Sequence, residues 1–392
     1  MTQMNLFDYL REPISITNPI RLIELFAGYG SQAMALKRIG AKFEHYLICE
    51  WEMHSVASYK AIHMPDDNTD YSDGVDSEKI IEELTKLGIS VDGKTALGEN
   101  QIRSHSYGEM WRRKCYNDIK ATHNLVNICA THGNDLKIVD TEHFTYLLTY
   151  SFPCTDLSVA GKQMGMTKGS GTRSGLLWEV ERILTEIRDS NGELPQILFM
   201  ENVPQVHSQD NMPDFRKWLD FLESLGYVNY WQDLNAKNYG VAQNRERCFM
   251  FSFLGEYNYK FPNPIPLTKR LKDYLEEDVN EKYYINNEKA QKLIQTLIGN
   301  GTLPQHNPES RAEQSRLALT EQSISHNREK LQTVSRQDMT AEYQTCGQME
   351  TWLLKDMGEM ADKPIDVAVT LRARDYKGLD NYGSNGVIEW KN

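Results

Sequence analysis

A short apolar strand that breaks on a glycine turn, restarts as a helix and leads to a second strand ending in an acid constrains this chain more than any other feature. The strand is Ile20-Arg21-Leu22-Ile23-Glu24-Leu25-Phe26, and the turn is Ala27-Gly28-Tyr29-Gly30-Ser31. The helical pattern Met34-Ala35-Leu36-Lys37-Arg38-Ile39 closes on Gly40 as a C-cap. A second strand, Tyr46-Leu47-Ile48-Cys49, delivers Glu50, 22 residues after Gly28. A Rossmann-like sheet sets its ribose-binding acid at this spacing, with the glycine turn letting backbone approach the ligand. Roughly half of such glycine turns are only tight turns that need positive φ. The acid at the right distance favours a cofactor turn.

Two more strands end in chemistry. Tyr146-Leu147-Leu148-Thr149-Tyr150 runs into Ser151-Phe152-Pro153-Cys154-Thr155-Asp156-Leu157-Ser158, and Gln196-Ile197-Leu198-Phe199-Met200 runs into Glu201-Asn202-Val203. Open α/β sheets bind ligands beyond the carboxyl ends of their strands. Three strands are therefore expected to bring Glu50, Cys154 and Glu201 to one rim. A cysteine beside a carboxyl group combines a soft nucleophile with an acid. A free thiol is little ionised at neutral pH, so a working nucleophile needs cationic or backbone donors, for which Arg245 and Arg247 are candidates. A lone cysteine is more often a small buried hydrophobe, and Pro153 reads equally well as an ordinary strand-ending proline. The neighbouring motifs turn the balance toward a nucleophile.

The rest of the chain sets limits. Its 392 residues suffice for one large core and a smaller domain, and no apolar run of membrane-spanning length occurs. The first residues lack the basic-then-apolar pattern of a secretion signal, so cytoplasmic residence is expected. Six cysteines are scattered without a CxxC pair, which suggests neither a metal site nor a disulfide framework. A net charge of −12 argues against a generic nucleic-acid coat but leaves room for a local basic groove. From Trp51 to His132 the sequence is helical and polar. Its Arg112, Arg113, Lys114 and Lys120 read as a solvated helix face in preference to a DNA contact. The helix from Leu176 to Leu184 follows a glycine-rich loop, and its Trp178 is expected in the core.

In this order the motifs resemble the DNA (cytosine-5)-methyltransferase family, in particular the enzymes of phage and bacterial restriction-modification systems, from about Arg21 to Phe253. Phe26-Ala27-Gly28-Tyr29-Gly30 resembles the family's cofactor turn, and Glu50-Trp51 its acid and adenine-stacking aromatic. Asp135-Leu136 is similar to the pair at the adenine ring, Pro153-Cys154 to the nucleophile motif closed by Ser158, and Glu201-Asn202-Val203 to the cytosine-binding motif. Gly171-Thr172-Arg173-Ser174-Gly175-Leu176 resembles the segment after the catalytic loop, and Gln243-Asn244-Arg245-Glu246-Arg247 the Gln-x-Arg-x-Arg motif.

The resemblance implies an α/β fold, a Rossmann-like S-adenosylmethionine-dependent sheet with helices on both faces, plus a smaller target-recognition domain. The implied cofactor is S-adenosyl-L-methionine and the implied partner is double-stranded DNA, with no membrane and no metal. The target would be a cytosine turned out of the duplex. In the implied reaction Cys154 adds to carbon 6, Glu201 serves ring nitrogen 3, and Arg245 holds the base or activates the thiol. Phe26, Gly28, Gly30, Glu50, Trp51, Asp135, Leu136 and Pro153 would bind the cofactor. Ser158, Asn202, Val203, Gln243, Arg247, Arg372 and Arg374 would bind the substrate.

Departures from the family pattern qualify this. Glu24 stands where aspartate is usual, and Ser31 where glycine is common. The long spacer before Asp135 suggests a helical insertion at 51–133. Residues 1–260 would form the catalytic domain, and 261–392 a partial target-recognition region ending near Val369-Thr370-Leu371-Arg372-Ala373-Arg374-Asp375-Tyr376-Lys377-Gly378. The family's last cofactor-pocket helix is not found after it. The alternatives are a truncated inactive product or a split enzyme completed by a second polypeptide. A tRNA methyltransferase of the same family would carry a Cys-Phe-Thr signature that this sequence lacks. A dinucleotide dehydrogenase would leave Cys154, Glu201 and the paired arginines unexplained.

Overall fold

The apolar runs become strands because β-branched and aromatic residues alternate between two packed faces. In the computed structural model the described residues are 12–104, 107–154, 157, 165–274, 292, 295–296, 299, 316–319, 368–369 and 386–389. Ser158, Arg372 and Arg374 lie outside them, as does the expected recognition segment beyond Val369.

In chain order the first elements are β1 (Glu12–Pro13), β2 (Ile20–Leu25), α1 (Ser31–Arg38), β3 (Phe43–Cys49), α2 (Met53–His63), α3 (Ser77–Leu87), α4 (Glu99–Arg103) and α5 (Gly108–Ala121). Then come β4 (Thr145–Tyr150), α6 (Leu177–Asp189), β5 (Ile197–Asn202), α7 (Met212–Ser224), β6 (Tyr227–Asn235), β7 (Gln243–Asn244), β8 (Glu246–Leu254) and β9 (Tyr257–Asn258). The last strands are β10 (Arg316–Leu319), β11 (Ala368–Val369) and β12 (Gly386–Glu389).

Six strands form one sheet in the order β3-β2-β4-β5-β8-β6. The first four run parallel, and β8 lies antiparallel to β5. Parallel strands end at the same edge, so the segments after β3, β4 and β5 leave from one rim. Alternation along the strands assigns the two faces. Ile20, Leu22, Leu147, Ile197 and Phe253 pack with Ala33 of α1. Ile23, Leu25, Leu148, Leu198 and Met200 pack with Leu177, Val180 and Ile183 of α6 and with Phe215, Trp218 and Leu222 of α7. Helices thus cover both faces, as a Rossmann-like sheet requires. Each such side chain contributes about 1.5–3 kcal/mol on burial, which makes this double-sided core the main stabilising element.

Between β3 and β4, helices α2 to α5 close on a separate cluster that includes Met53, Val56, Ile80, Leu84, Ile102, Cys115 and Ile119. Helix starts and stops follow local signals. Glu52 caps α2 by accepting from His54 N and Ser55 N, Asp76 caps α3 by accepting from Glu78 N, and Gly88 ends α3 at φ 69°.

The chain divides into two compact units, one of Met1–Asp233 with Arg247–Pro262 and one of Leu234–Glu246 with Asn263–Asn392. The six-stranded sheet falls mainly in the first. In the second, β10 pairs antiparallel with β12, and β11 pairs parallel with β7. Among the described residues no helix is long and apolar enough to cross a membrane.

Candidate active site

The glycine turn is held by backbone bonds. Phe26 N donates to Cys49 O at 2.8 Å and Gly30 N to Ala27 O at 2.9 Å. Three residues of the turn have left-handed backbones, Phe26 at φ 58°, Gly28 at φ 55° and Gly30 at φ 81°. Glycine is required at the last of these for space as well, because a Cβ at Gly30 would lie 2.3 Å from His63 Nε2 and 2.7 Å from the Tyr59 ring. At Gly28 a Cβ would meet nothing within 4 Å, so bare backbone borders an open space.

Glu50 edges that space. Its two oxygens accept from Gly28 N at 3.0 Å and Glu52 N at 2.8 Å. Each oxygen keeps a lone pair for a further donor. Burial pushes the Glu50 carboxyl above its ordinary range, and the backbone N–H groups of Glu52, Gly28 and Trp51 pull it back. The strand end itself is clamped by Asn124, whose Oδ1 accepts from Glu50 N at 3.0 Å and whose Nδ2 donates to Glu50 O at 2.8 Å. This acid and these glycines fit a group with adjacent sugar hydroxyls.

Glu24, beneath the turn, is fully buried. It accepts from Tyr59 Oη at 2.6 Å and from Ala33 N at 3.3 Å, so it anchors the start of α1. Desolvation raises its pKa to about 7, against the opposing pull of those two donors. His45 Nδ1 lies 2.8 Å from Tyr59 Oη, and His63 Nε2 lies 3.0 Å from Tyr29 O. Burial lowers both histidines to about 4, which keeps them neutral.

At the neighbouring strand ends the supports are side chains. Asn202 is buried, and its Nδ2 donates to Phe152 O at 3.0 Å while its Oδ1 accepts from Val203 N at 2.8 Å. Ser174, also buried, donates from Oγ to Pro153 O at 2.7 Å. Gln32 of α1 donates to Ser151 Oγ at 3.0 Å, and Leu157 N donates to Cys154 O at 3.0 Å. These bonds grip the backbone on both sides of Cys154, whose side chain is half-buried. Glu201 is half-buried and pairs with Arg247, with Oε1 3.1 Å from Nε. Register places them side by side, since Glu201 opposes Phe249 on the antiparallel strand that begins at Glu246.

Residues 95–369 match the family model for C-5 cytosine-specific DNA methylases, more than half of the chain. The orphan methyltransferase M.SssI of Spiroplasma monobiae is 37% identical over 276 residues, covering 69% of this chain and 68% of that protein. The type II methyltransferase M2.ScrFI of Lactococcus lactis subsp. cremoris is 38% identical over 285 residues, covering 71% of this chain and 74% of that protein. The chain belongs to the C-5 cytosine-specific DNA methylase family. It is by class a DNA cytosine-5 methyltransferase.

Among solved structures, S. pombe Dnmt2 methyltransferase superposes with a TM-score of 0.41 at 16% identity, over 69% of this chain and 64% of that one. A putative DNA modification methyltransferase encoded within an E. coli prophage gives 0.41 at 14%, over 68% of this chain and 58% of that one. The chain spans less than two thirds of either, and superpositions this loose add nothing to the fold described above.

Within the family pattern, the first unit holds Phe26, Gly28, Gly30, Glu50, Trp51, Pro153, Cys154, Glu201, Asn202, Val203 and Arg247, while Gln243 and Arg245 fall in the second. Trp51 packs against the helical cluster between β3 and β4, and its carbonyl accepts from Ser90 N at 2.8 Å. Asp135 Oδ2 accepts from His132 N at 2.8 Å, and Leu136 is fully buried. Asp135 also lines a cavity of about 490 Å³ with Tyr46, Lys120, Asn124 and Lys137. Neither Glu50 nor the glycine turn lines that cavity, and Asn124 is the residue common to both places. Sequence reasoning missed Asn124, Tyr59 and Ser174. Each acts through a bond to a residue far along the chain, which no local spacing reveals.

Proposed function

We propose that this chain transfers the methyl group of S-adenosylmethionine to carbon 5 of a cytosine turned out of duplex DNA, through a covalent adduct at Cys154. The observation that carries the reading is the Asn202 amide. It joins the strand end bearing Glu201 to the carbonyl two residues before Cys154. One side chain thereby links the acid loop to the nucleophile loop.

The residues divide the work by their chemistry. Cys154 Sγ attacks carbon 6 of the ring, forming a carbon–sulfur bond and pushing electrons toward carbon 5 and ring nitrogen 3. Glu201 holds a proton at nitrogen 3 as that charge develops, and Arg247 fixes the orientation of Glu201. S-adenosylmethionine supplies an electrophilic methyl group to carbon 5. A water then removes the carbon 5 proton, and the Cys154 sulfur leaves as the double bond re-forms. Glu50 is suited to accept from ribose hydroxyls with its remaining lone pairs, and Gly28 and Gly30 admit the cofactor close to backbone. Phe26, Trp51, Asp135, Leu136 and Pro153 complete the proposed cofactor set.

Val203 and Asn202 stand in the proposed substrate set by their place beside Glu201. Ser158, Gln243, Arg245, Arg372 and Arg374 enter it on their motifs alone. In this reading residues 1–260 carry the chemistry, 261–392 read the DNA, and the protein works inside the cell. The comparisons lend no support to a second polypeptide.

The test uses purified full-length chain, S-adenosylmethionine and plasmid-length duplex DNA carrying 5-fluorocytosine, whose fluorine blocks the final elimination. A protein–DNA complex that survives denaturation, with the modified peptide containing Cys154, is expected, and Cys154→Ser should give none. Methylation of ordinary duplex by the Cys154→Ser chain would overturn the covalent route.

A further inference from the structure

A second cluster of reactive side chains lies in the same unit, outside the residues used above. His207 ends the short turn Pro204–His207 after β5, Asp233 lies near the end of β6, and Cys248 sits on β8 opposite Asn202. His207 Nε2 is 2.9 Å and 3.0 Å from the two Asp233 oxygens. One ligand atom from each of the three residues falls within 4.8 Å of the others. The Cys248 side chain is buried with its thiol hydrogen-bonded to Asp233, whereas the His207 and Asp233 side chains retain 20% and 30% exposure. The His207 ring is flanked by Trp231 at 4.7 Å and Phe215 at 6.2 Å between centroids, which limits its rotation.

We propose that His207, Asp233 and Cys248 form a binding site for a zinc-type divalent cation, with the fourth coordination position open to water on the exposed side. An imidazole nitrogen, a carboxylate oxygen and a thiolate sulfur are the donor set that zinc takes, and calcium or magnesium would demand oxygens throughout. Ligand atoms around a tetrahedral zinc are separated by about 3.3–3.6 Å, given bonds of about 2.0–2.3 Å, so the cluster needs to contract by little more than an ångström. On binding, Cys248 releases its thiol proton to solvent, and His207 offers the Nε2 lone pair with its remaining proton on Nδ1. The carboxylate and thiolate together neutralise the dication. Without the ion, burial and the neighbouring Asp233 hold the thiol protonated.

The three ligands come from the turn after Asn202 and from two neighbouring strands of the sheet, and Cys248 follows Arg247, the partner of Glu201. An ion here would pin the strand ends beneath that pair. The separations of 26 and 15 residues between the ligands match no paired-cysteine pattern, so the sequence alone gave no sign of the site.

The experiment is metal loading of the full chain after chelation and desalting. Zinc uptake is read by elemental analysis, and cobalt(II) by thiolate-to-metal charge-transfer absorption. The wild-type chain and Cys154→Ser are expected to take up one equivalent and to show the band. Cys248→Ala should lose the band, and His207→Gln, at a partly exposed position, should weaken binding by at least the roughly 10- to 100-fold that follows loss of an outer-shell partner. Sub-stoichiometric uptake by the wild-type chain would overturn the proposal. So would an undiminished band in Cys248→Ala, or unchanged affinity in His207→Gln.

Discussion

The strand ends that carry Glu50 and Glu201 hold their carboxylates by opposite means. Glu50 is fixed by the N–H groups of Gly28 and Glu52, and its own backbone is clamped by Asn124. Glu201 is fixed by the guanidinium of Arg247, and the loop opposite it by the Asn202 and Ser174 side chains. Backbone donors cannot leave their carboxylate without unmaking the turn. The guanidinium contact joins two side chains, so no bond of the strand backbones depends on it. The first arrangement suits an acid that only binds, and the second suits an acid whose proton and partner change during a reaction.

The sharpest way to break this contrast is Cys154→Ser, expected to cut methyl transfer by about 10⁴-fold or more while leaving S-adenosylmethionine affinity intact. Incorporation of labelled methyl groups and equilibrium dialysis read the two quantities, and parallel loss of both would mean that the two strand ends are not separable. Glu201→Gln should lower the turnover number by about 10²- to 10⁴-fold at unchanged cofactor affinity. Glu50→Ala should do the reverse. It would weaken cofactor binding by about 1.5–3 kcal/mol with DNA retention on a filter unchanged. Asn202→Ala leaves Phe152 O and Val203 N without their partner, so unfolding in urea should show a loss of about 1–3 kcal/mol.

The subtlest effect to read is in pH. Glu24 is raised in the fold from its ordinary value of 4.5 to about 7, so the folded chain binds the extra proton over that range. The resulting stability is fully present below 4.5 and is lost as pH rises through 7. His45 and His63, lowered from 6.5 to about 4, act in the other direction and cost stability as pH falls through that interval. Glu24→Gln should flatten the decline in melting temperature toward neutral pH. An unchanged slope would show that Glu24 does not titrate there.

The two strand ends were not equally legible. Glycine at 28 and 30 and an acid at 50 follow from backbone geometry, which is local and repeats at fixed spacing, so the sequence displayed them. The same run read as a short apolar strand, and only the fold shows that Ile20 and Leu22 face one layer of helices while Ile23 and Leu25 face the other. The departure at Glu24 looked like a tolerable exchange of one acid for a longer one. Its burial against Tyr59, 35 residues away, gives that extra methylene a partner that the pattern did not announce. Ser174 read as part of a loop, and only the folded chain shows its hydroxyl on Pro153 O. The clusters at Asn124 and at His207 depend on residues brought together across the sheet, beyond the reach of any period.

Asn124 carries one more consequence. The helices between β3 and β4 leave the sheet at Glu50 and return at Asn124, and two hydrogen bonds tie departure to return. The helices between β3 and β4 therefore rejoin the sheet beside the acid itself, and α2 adds ties of its own from Tyr59 to Glu24 and from His63 to Tyr29. The length and sequence of α3 to α5 can be exchanged without moving the acid, provided that α2 keeps its bonds to Glu24 and the glycine turn and Asn124 keeps its bonds to Glu50.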